Sequence, residues 1–166
     1  MKKTAKQKEK TINYNEAFNR AVILNAMPLT GITGKELGDI IMLQVDYGRI
    51  TDDFNARMDE ALKKIKQQKF HRFDEESGKP EEERCPEYKD WLAELESLYG
   101  EMRQAAAMKP VDESVPAITR DIFESLCSTG AEGDIVLPGG TDAAPNLMPK
   151  ATALRMLASI VTDNNQ

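Results

Sequence analysis

The stretch Thr33-GKELGDIIMLQVDYGRITDDFNARMDEALKKIKQQK-Phe70 decides how the chain is read. Its apolar residues return every three or four positions, at Leu37, Ile40, Ile41, Val45, Tyr47, Phe54, Met58, Ala61, Leu62 and Ile65. That period lines one face of an α-helix, whereas a strand would alternate. Thr33, with Glu36 three residues on, has the form of a capping box and sets the start of the helix. A helix of about 36 residues extends roughly 54 Å at 1.5 Å per residue. Gly48 is its weak point, because a glycine inside a helix costs about 1 kcal/mol relative to alanine. The segment from Tyr47 to Asp53 can hold a kink, a restart at Thr51 or Asp52, or a close crossing by another backbone. The run is therefore read as two packing surfaces, the first facing Phe18 and Val22 and the second facing Tyr88 through Met102.

Upstream, Asn13 or Asn15 can cap a short helix through Met27 whose inner face holds Phe18, Ala21, Val22 and Leu24, and Pro28 ends it. Downstream, residues 71–86 are charged and broken by Gly78 and Pro80, which reads as the loop at the tip of a hairpin. Pro86 suits the first turn of a second long helix. Its stripe runs through Tyr88, Trp91, Leu92, Leu95, Leu98, Tyr99, Met102, Ala105 and Ala106 to about Met108. A short connection makes the two long helices antiparallel neighbours. Lys109 to Ala117 contains two prolines and reads as an extended strap, after which Thr119 caps a helix from Arg120 to Cys127. Ser128 to Pro149 is rich in Gly, Pro, Thr and Asp, and Ile135-Val136-Leu137 within it adds a strand or fills a gap. A last helix from Pro149 to about Thr162 carries Leu154, Leu157, Ile160 and Val161 on its inner side. The expected fold is all-α: a long antiparallel helical hairpin with short N- and C-terminal helices packed on it. The expected division is a basic N-terminal arm over 1–11, a helical domain over 12–127, and a Gly/Pro-rich segment with the C-terminal helix over 128–166.

The chain has 166 residues, 40% hydrophobic and 30% charged, enough for a modest core. Aromatics make up 6% against 8 Met, so Leu, Ile, Ala and Met fill the space between helices. Residues 1–10 hold five Lys and one Glu, a net +4, and since the whole chain is −6 the remainder carries −10. An acidic body repels nucleic acid, so only the arm could contact phosphates. Lys2, Lys3, Lys6, Lys8 and Lys10 are accordingly candidates for binding a partner. Lys63, Lys64, Lys66, Lys69 and Arg72 crowd the last turns of the long helix, where cations meet the carbonyl end of its dipole. Trp91, the one tryptophan, reads as an anchor over Phe70 and Phe73; exposed, it would be a hot spot for a partner, and it joins the binding candidates.

Reactive groups are sparse. Gly31-Ile-Thr-Gly34-Lys35-Glu36 brings a glycine-rich turn to the start of a helix. Its glycines are too close for a phosphate loop, and Glu36 stands where a Ser or Thr would hold Mg²⁺. His71, the one histidine, falls in the charged loop, where a general base is not held to catalytic tolerance. Cys85 and Cys127 lack partners at metal-ligand spacing and read as free thiols. Asp52, Asp53, Asp59 and Glu60 serve solvation and i,i+4 pairing with Lys63 and Lys64. No catalytic residue, metal site or cofactor is expected, and the chain is read as no enzyme. No apolar segment follows the basic start, and no run approaches the ~18 apolar residues of a membrane span. A cytoplasmic protein without membrane partners is expected.

The order of elements resembles a group of small helical proteins of unknown function found in tailed phages and prophages. A short helix precedes a long one, then come an acidic tip like Asp74-Glu-Glu-Ser-Gly-Lys79, a returning helix, and a strap leading to a Thr-capped helix like Val115-Pro-Ala-Ile-Thr-Arg-Asp-Ile-Phe123. The resemblance covers about residues 12–127 and rests on pattern. It implies a phage setting in the host cytoplasm, with incorporation into a virion, and supplies no catalytic residues. With complementary charges on one chain, it makes a structural or assembly protein that associates with itself or a larger assembly the expected function. The alternative is a small helical regulator or inhibitor of a host protein or nucleic acid.

Overall fold

The computed structural model describes residues 12–112 and 114–162. Six helices dominate them: α1 (Tyr14–Ala26), α2 (Gly34–Lys69), α3 (Phe73–Ser77), α4 (Tyr88–Ala107), α5 (Arg120–Cys127) and α6 (Lys150–Ala158). The all-α expectation needs correcting in the C-terminal third, which also forms two small sheets. Strand β1 (Ile118–Thr119) pairs in parallel with β4 (Val161–Thr162), and β2 (Asp134–Leu137) pairs antiparallel with β3 (Asn146–Pro149). The last helix consequently stops at Ala158, and Val161 belongs to a strand. In the β2–β3 connection a Cβ on Gly140 would collide with the Asn146 amide nitrogen, so the turn requires glycine there.

Contacts group the chain into two compact units. One holds the described residues up to Thr51 with those from Pro110 onward, and the other is Asp52–Lys109. Helix α2 is continuous through Gly48 and contributes to both. The helix does not break at Gly48, and no other backbone of the chain crosses there, since a Cβ on Gly48 would meet nothing within 4 Å.

In the first unit, Asn13 caps α1 through a reciprocal box with Glu16, each bond 2.9 Å long. The box expected at Thr33 and Glu36 is not formed. Gly34 takes φ +64°, and this left-handed entry replaces the extended cap geometry that aims a threonine hydroxyl at the helix. The inner face of α1 is Tyr14, Ala17, Ala21, Ile23 and Leu24, while Phe18 and Val22 stay half-buried. On α2 the buried stripe is Ile40, Leu43, Tyr47 and Ile50, and the apolar Ile41 and Val45 face outward. Gln44 Nε2 donates to the Leu24 carbonyl at 3.0 Å and Arg20 Nη1 to the Tyr47 hydroxyl at 3.2 Å. As one number rises the other falls, so α1 and α2 run antiparallel. The strap is anchored at two points: Val111 N–H donates to the Ile12 carbonyl at 2.9 Å, and the Tyr47 hydroxyl donates to the Pro116 carbonyl at 2.8 Å. Thr119 caps α5 by accepting from Ile122 N–H at 3.3 Å, as the sequence suggests. Ile135, Leu126, Leu154 and Leu157 are buried in this unit.

In the second unit, Arg103 of α4 donates to Asn55 of α2 at 2.7 Å, and Lys69 of α2 lies 3.9 Å from Glu94 of α4. These opposed pairings make the second half of α2 and α4 an antiparallel pair. Phe70, Phe73 and Leu95 form its buried cluster, with Leu62, Ile65, Tyr88, Trp91, Leu92 and Leu98 packed around them. The tip is more ordered in its fold than a plain loop: it contains α3 and a 3₁₀ turn at Glu81–Glu83, and α4 begins at Tyr88, two residues after Pro86. The reason lies in Glu76, a carboxylate only 1% exposed. It accepts from Lys79 Nζ at 2.6 Å, Arg72 Nη2 at 3.2 Å and Cys85 N–H at 2.8 Å. A buried carboxylate is tolerable only when its lone pairs are so occupied.

Two expectations follow. Gly48→Ala raises stability by about 0.5–1 kcal/mol in chemical denaturation, since alanine lowers the entropy cost of the helix without meeting a neighbour. The Lys79 hydrogen bond, seconded by Cys85 N–H, holds the Glu76 carboxyl at about 2, below its ordinary 4.5. A depressed carboxyl stabilises the fold fully above pH 4.5 and loses that contribution as pH falls through about 2. Acid unfolding followed by Trp91 fluorescence should show this slope. In Glu76→Gln the midpoint temperature at neutral pH drops by several degrees and part of the slope between those pH values disappears.

Candidate functional site

The first unit contains a groove of about 990 Å³ between the start of α2 and α5. Its near wall comes from the turn before α2. Gly31 at φ +84° and Gly34 at φ +64° turn the chain so that Ile32 points inward, and its N–H donates to the Leu29 carbonyl at 3.1 Å. Along α2, Lys35, Asp39, Met42 and Asp46 follow at helical spacing and face one side. The far wall begins at Thr119, the cap of α5, and continues through Asp121, Ile122, Glu124 and Ser125 to Ser128.

Five acids, Glu36, Asp39, Asp46, Asp121 and Glu124, share this lining with the single cation Lys35, a net −4. Lys35 pairs with Asp39 and Asp46 with Arg49, while Glu36, Asp121 and Glu124 carry no ion pair among the described residues. The hydrogen bond to Asp39 raises Lys35 above its ordinary value, and the charges of Asp39, Glu36 and Asp121 add to it. Met42 and the half-buried Ile122 supply apolar surface among the acids. Such a lining repels phosphate, which agrees with the reading that Gly31–Glu36 is no phosphate loop. It suits a cationic segment whose alkyl stems lie on apolar surface. Next to it Ile41, Met42 and Val45 stand 44%, 54% and 41% exposed on consecutive turns of α2.

Among the residues singled out in the sequence, Lys2, Lys3, Lys6, Lys8 and Lys10 lie outside the described residues. Trp91 is half-buried against the Phe70, Phe73 and Leu95 cluster of the second unit. His71 is exposed. The thiols are free; Cys85 is half-buried and Cys127 exposed. Burial, with the nearby Glu76 charge in second place, pushes the Cys85 thiol above its ordinary value, and burial does the same at Cys127. Neither is a poised nucleophile. The basic turns at the end of α2 have structural partners: Lys66 lies 2.8 Å from Asp74 and over the Phe73 ring at 5.1 Å, and Lys64 lies 3.6 Å from Glu60. Among the described residues, no group of three or more His, Cys, Asp or Glu side chains is placed to hold a metal ion. No helix among them is long and apolar enough to cross a membrane.

The groove acids escape sequence reasoning because α2 and α5 meet only in space; the sole local signal is the Asp39, Met42, Asp46 spacing. Lys150 escapes it too. It is 3% exposed at the start of α6, its N–H donates to the Gly133 carbonyl at 2.9 Å, and its ammonium donates to the Thr129 hydroxyl. No protein-family model matches the chain, and no curated protein or solved structure matches it either.

Proposed function

We propose that this chain is a non-enzymatic structural or assembly protein that works through its helical surfaces and its lysine-rich N-terminal segment, as a component of a phage virion or of virion assembly. The observation that carries the reading is the outward face of α2. Ile41, Met42 and Val45 form adjoining exposed apolar positions on a helix whose opposite stripe is fully used in packing. Single exposed apolar residues are ordinary on a protein surface, whereas neighbouring ones on one helix face suit association. The bordering groove adds charge of one sign, and residues 2–10 of the same chain supply the other. Self-association guided by such charges gains in orientation and encounter rate. The similarity in element order to small helical proteins of tailed phages supports the setting.

Light scattering across a concentration series tests this directly. The apparent mass should rise with concentration and fall back when salt is added, because screening weakens contacts between exposed charges. Met42→Glu with Val45→Glu should return the chain to a monomer while changing stability by no more than about 0.5 kcal/mol per exposed site. A strict monomer at every concentration removes the reading.

A further inference from the structure

The stripe of α2 that faces inward runs through Ile40, Leu43, Tyr47 and Ile50. At about 3.6 residues per turn the opposite line is Gly38, Ile41, Val45 and Gly48, spaced three, four and three residues apart as in a seam between paired helices. Ile41 and Val45 are exposed there, and the exposed Met42 borders them. Neither glycine serves the fold of its own chain. Neither takes a positive φ, and a Cβ on either would meet nothing within 4 Å. Each therefore weakens α2 relative to alanine with no compensating contact in the chain, while leaving room for a foreign backbone to approach closely. Gly100 of α4 is as open, but Glu96, Ser97 and Gln104 on its side of the helix are polar and exposed, so α4 offers no such apolar line.

Two facts constrain what covers this line. Outside the described residues the chain has only Met1 and Ala5 as apolar side chains, too few to cover it. The line also reads the same in both directions about residue 43, with glycines five positions away on either side and β-branched residues two positions away. A surface with this symmetry is its own complement when one helix lies antiparallel on a copy of itself, an arrangement that also opposes the two helix dipoles. We infer that the Gly38–Gly48 face of α2 is a two-fold contact between two copies of this chain, antiparallel, with Gly38 opposite Gly48 and Ile41 opposite Val45. This contact rests on the self-association reading and adds its geometry. It spans about three turns of helix, which places it among small, transient interfaces.

The test uses the full chain with Cys85→Ser and Cys127→Ser, carrying either Gly38→Cys or Gly48→Cys as its one thiol. The two forms are mixed at a concentration where light scattering shows association and equilibrated in a glutathione redox buffer, and mass spectrometry reads which bridges formed. A disulfide needs Cα atoms within about 7 Å, so it reports direct opposition. Expected is a bridge between positions 38 and 48 of different copies, severalfold above the 38–38 and 48–48 bridges. Predominant like bridges overturn the antiparallel register, and the same mixture as in denaturant overturns the contact, with the assembly reading left standing. As a second arm, Gly38→Gln with Gly48→Gln fills the close approach with polar side chains at positions where the chain itself has room. The thermal midpoint should hold or rise while association weakens about tenfold. Undiminished association in that variant sinks the contact alone; absence of association in the unmodified chain removes the self-association reading with it.

Discussion

Tyr47 has its ring wholly buried and its hydroxyl fully used, accepting from Arg20 of α1 and donating to the Pro116 carbonyl of the strap. Three segments that are remote in sequence meet at this one oxygen. A buried phenol hydroxyl without partners would cost about 1–3 kcal/mol, comparable with what burial of the ring contributes, so the strap and α1 both support its burial by α2. That support sets the depth of Ile40, Leu43 and Ile50 on the same stripe. By turning this stripe inward it turns Ile41, Met42 and Val45 outward, because a helix cannot bury every side. The exposed face on which the functional reading depends is thus a geometric consequence of the buried one.

Charge is handled in opposite ways in different parts of the molecule. Glu76 is deeply buried and surrounded by donors from Lys79, Arg72 and the Cys85 amide, so its charge serves to knit α3 to the residues that follow it. Lys150 is equally buried and is tied to Thr129 and Gly133, which joins the start of α6 to the preceding loops. The groove acids take no such part. Glu36, Asp121 and Glu124 are exposed and form no ion pair with another described residue, although the charges of Glu36 and Asp121 act on Lys35 nearby. Buried charge therefore works inside the fold, whereas the charge of the groove stays at its surface.

Much of the architecture was legible in the residues alone. The period of α2 and α4, the Asn13 and Thr119 caps, the strap and the cluster around Phe70, Phe73 and Trp91 all follow from local patterns, because helical spacing and capping depend on neighbours a few positions away. The misreadings share one cause. Thr33 has the capping sequence, yet Gly34 enters the helix left-handed; Val45 has the apolar character of a core residue, yet Tyr47 sets the rotation; Val161 continues a helical stripe, yet it pairs with Ile118 far upstream. In each case a partner distant in sequence or a backbone turn outweighed a local preference of a few tenths to about 1 kcal/mol. The candidate site belongs wholly to this second kind. A mostly helical chain, with its charge divided between a basic segment and an acidic remainder, follows from residue order alone. That Glu36, Asp39 and Asp46 share one groove with Asp121 and Glu124 emerges only on folding, because proximity between helices some eighty residues apart is a product of packing and leaves no periodic trace in the chain.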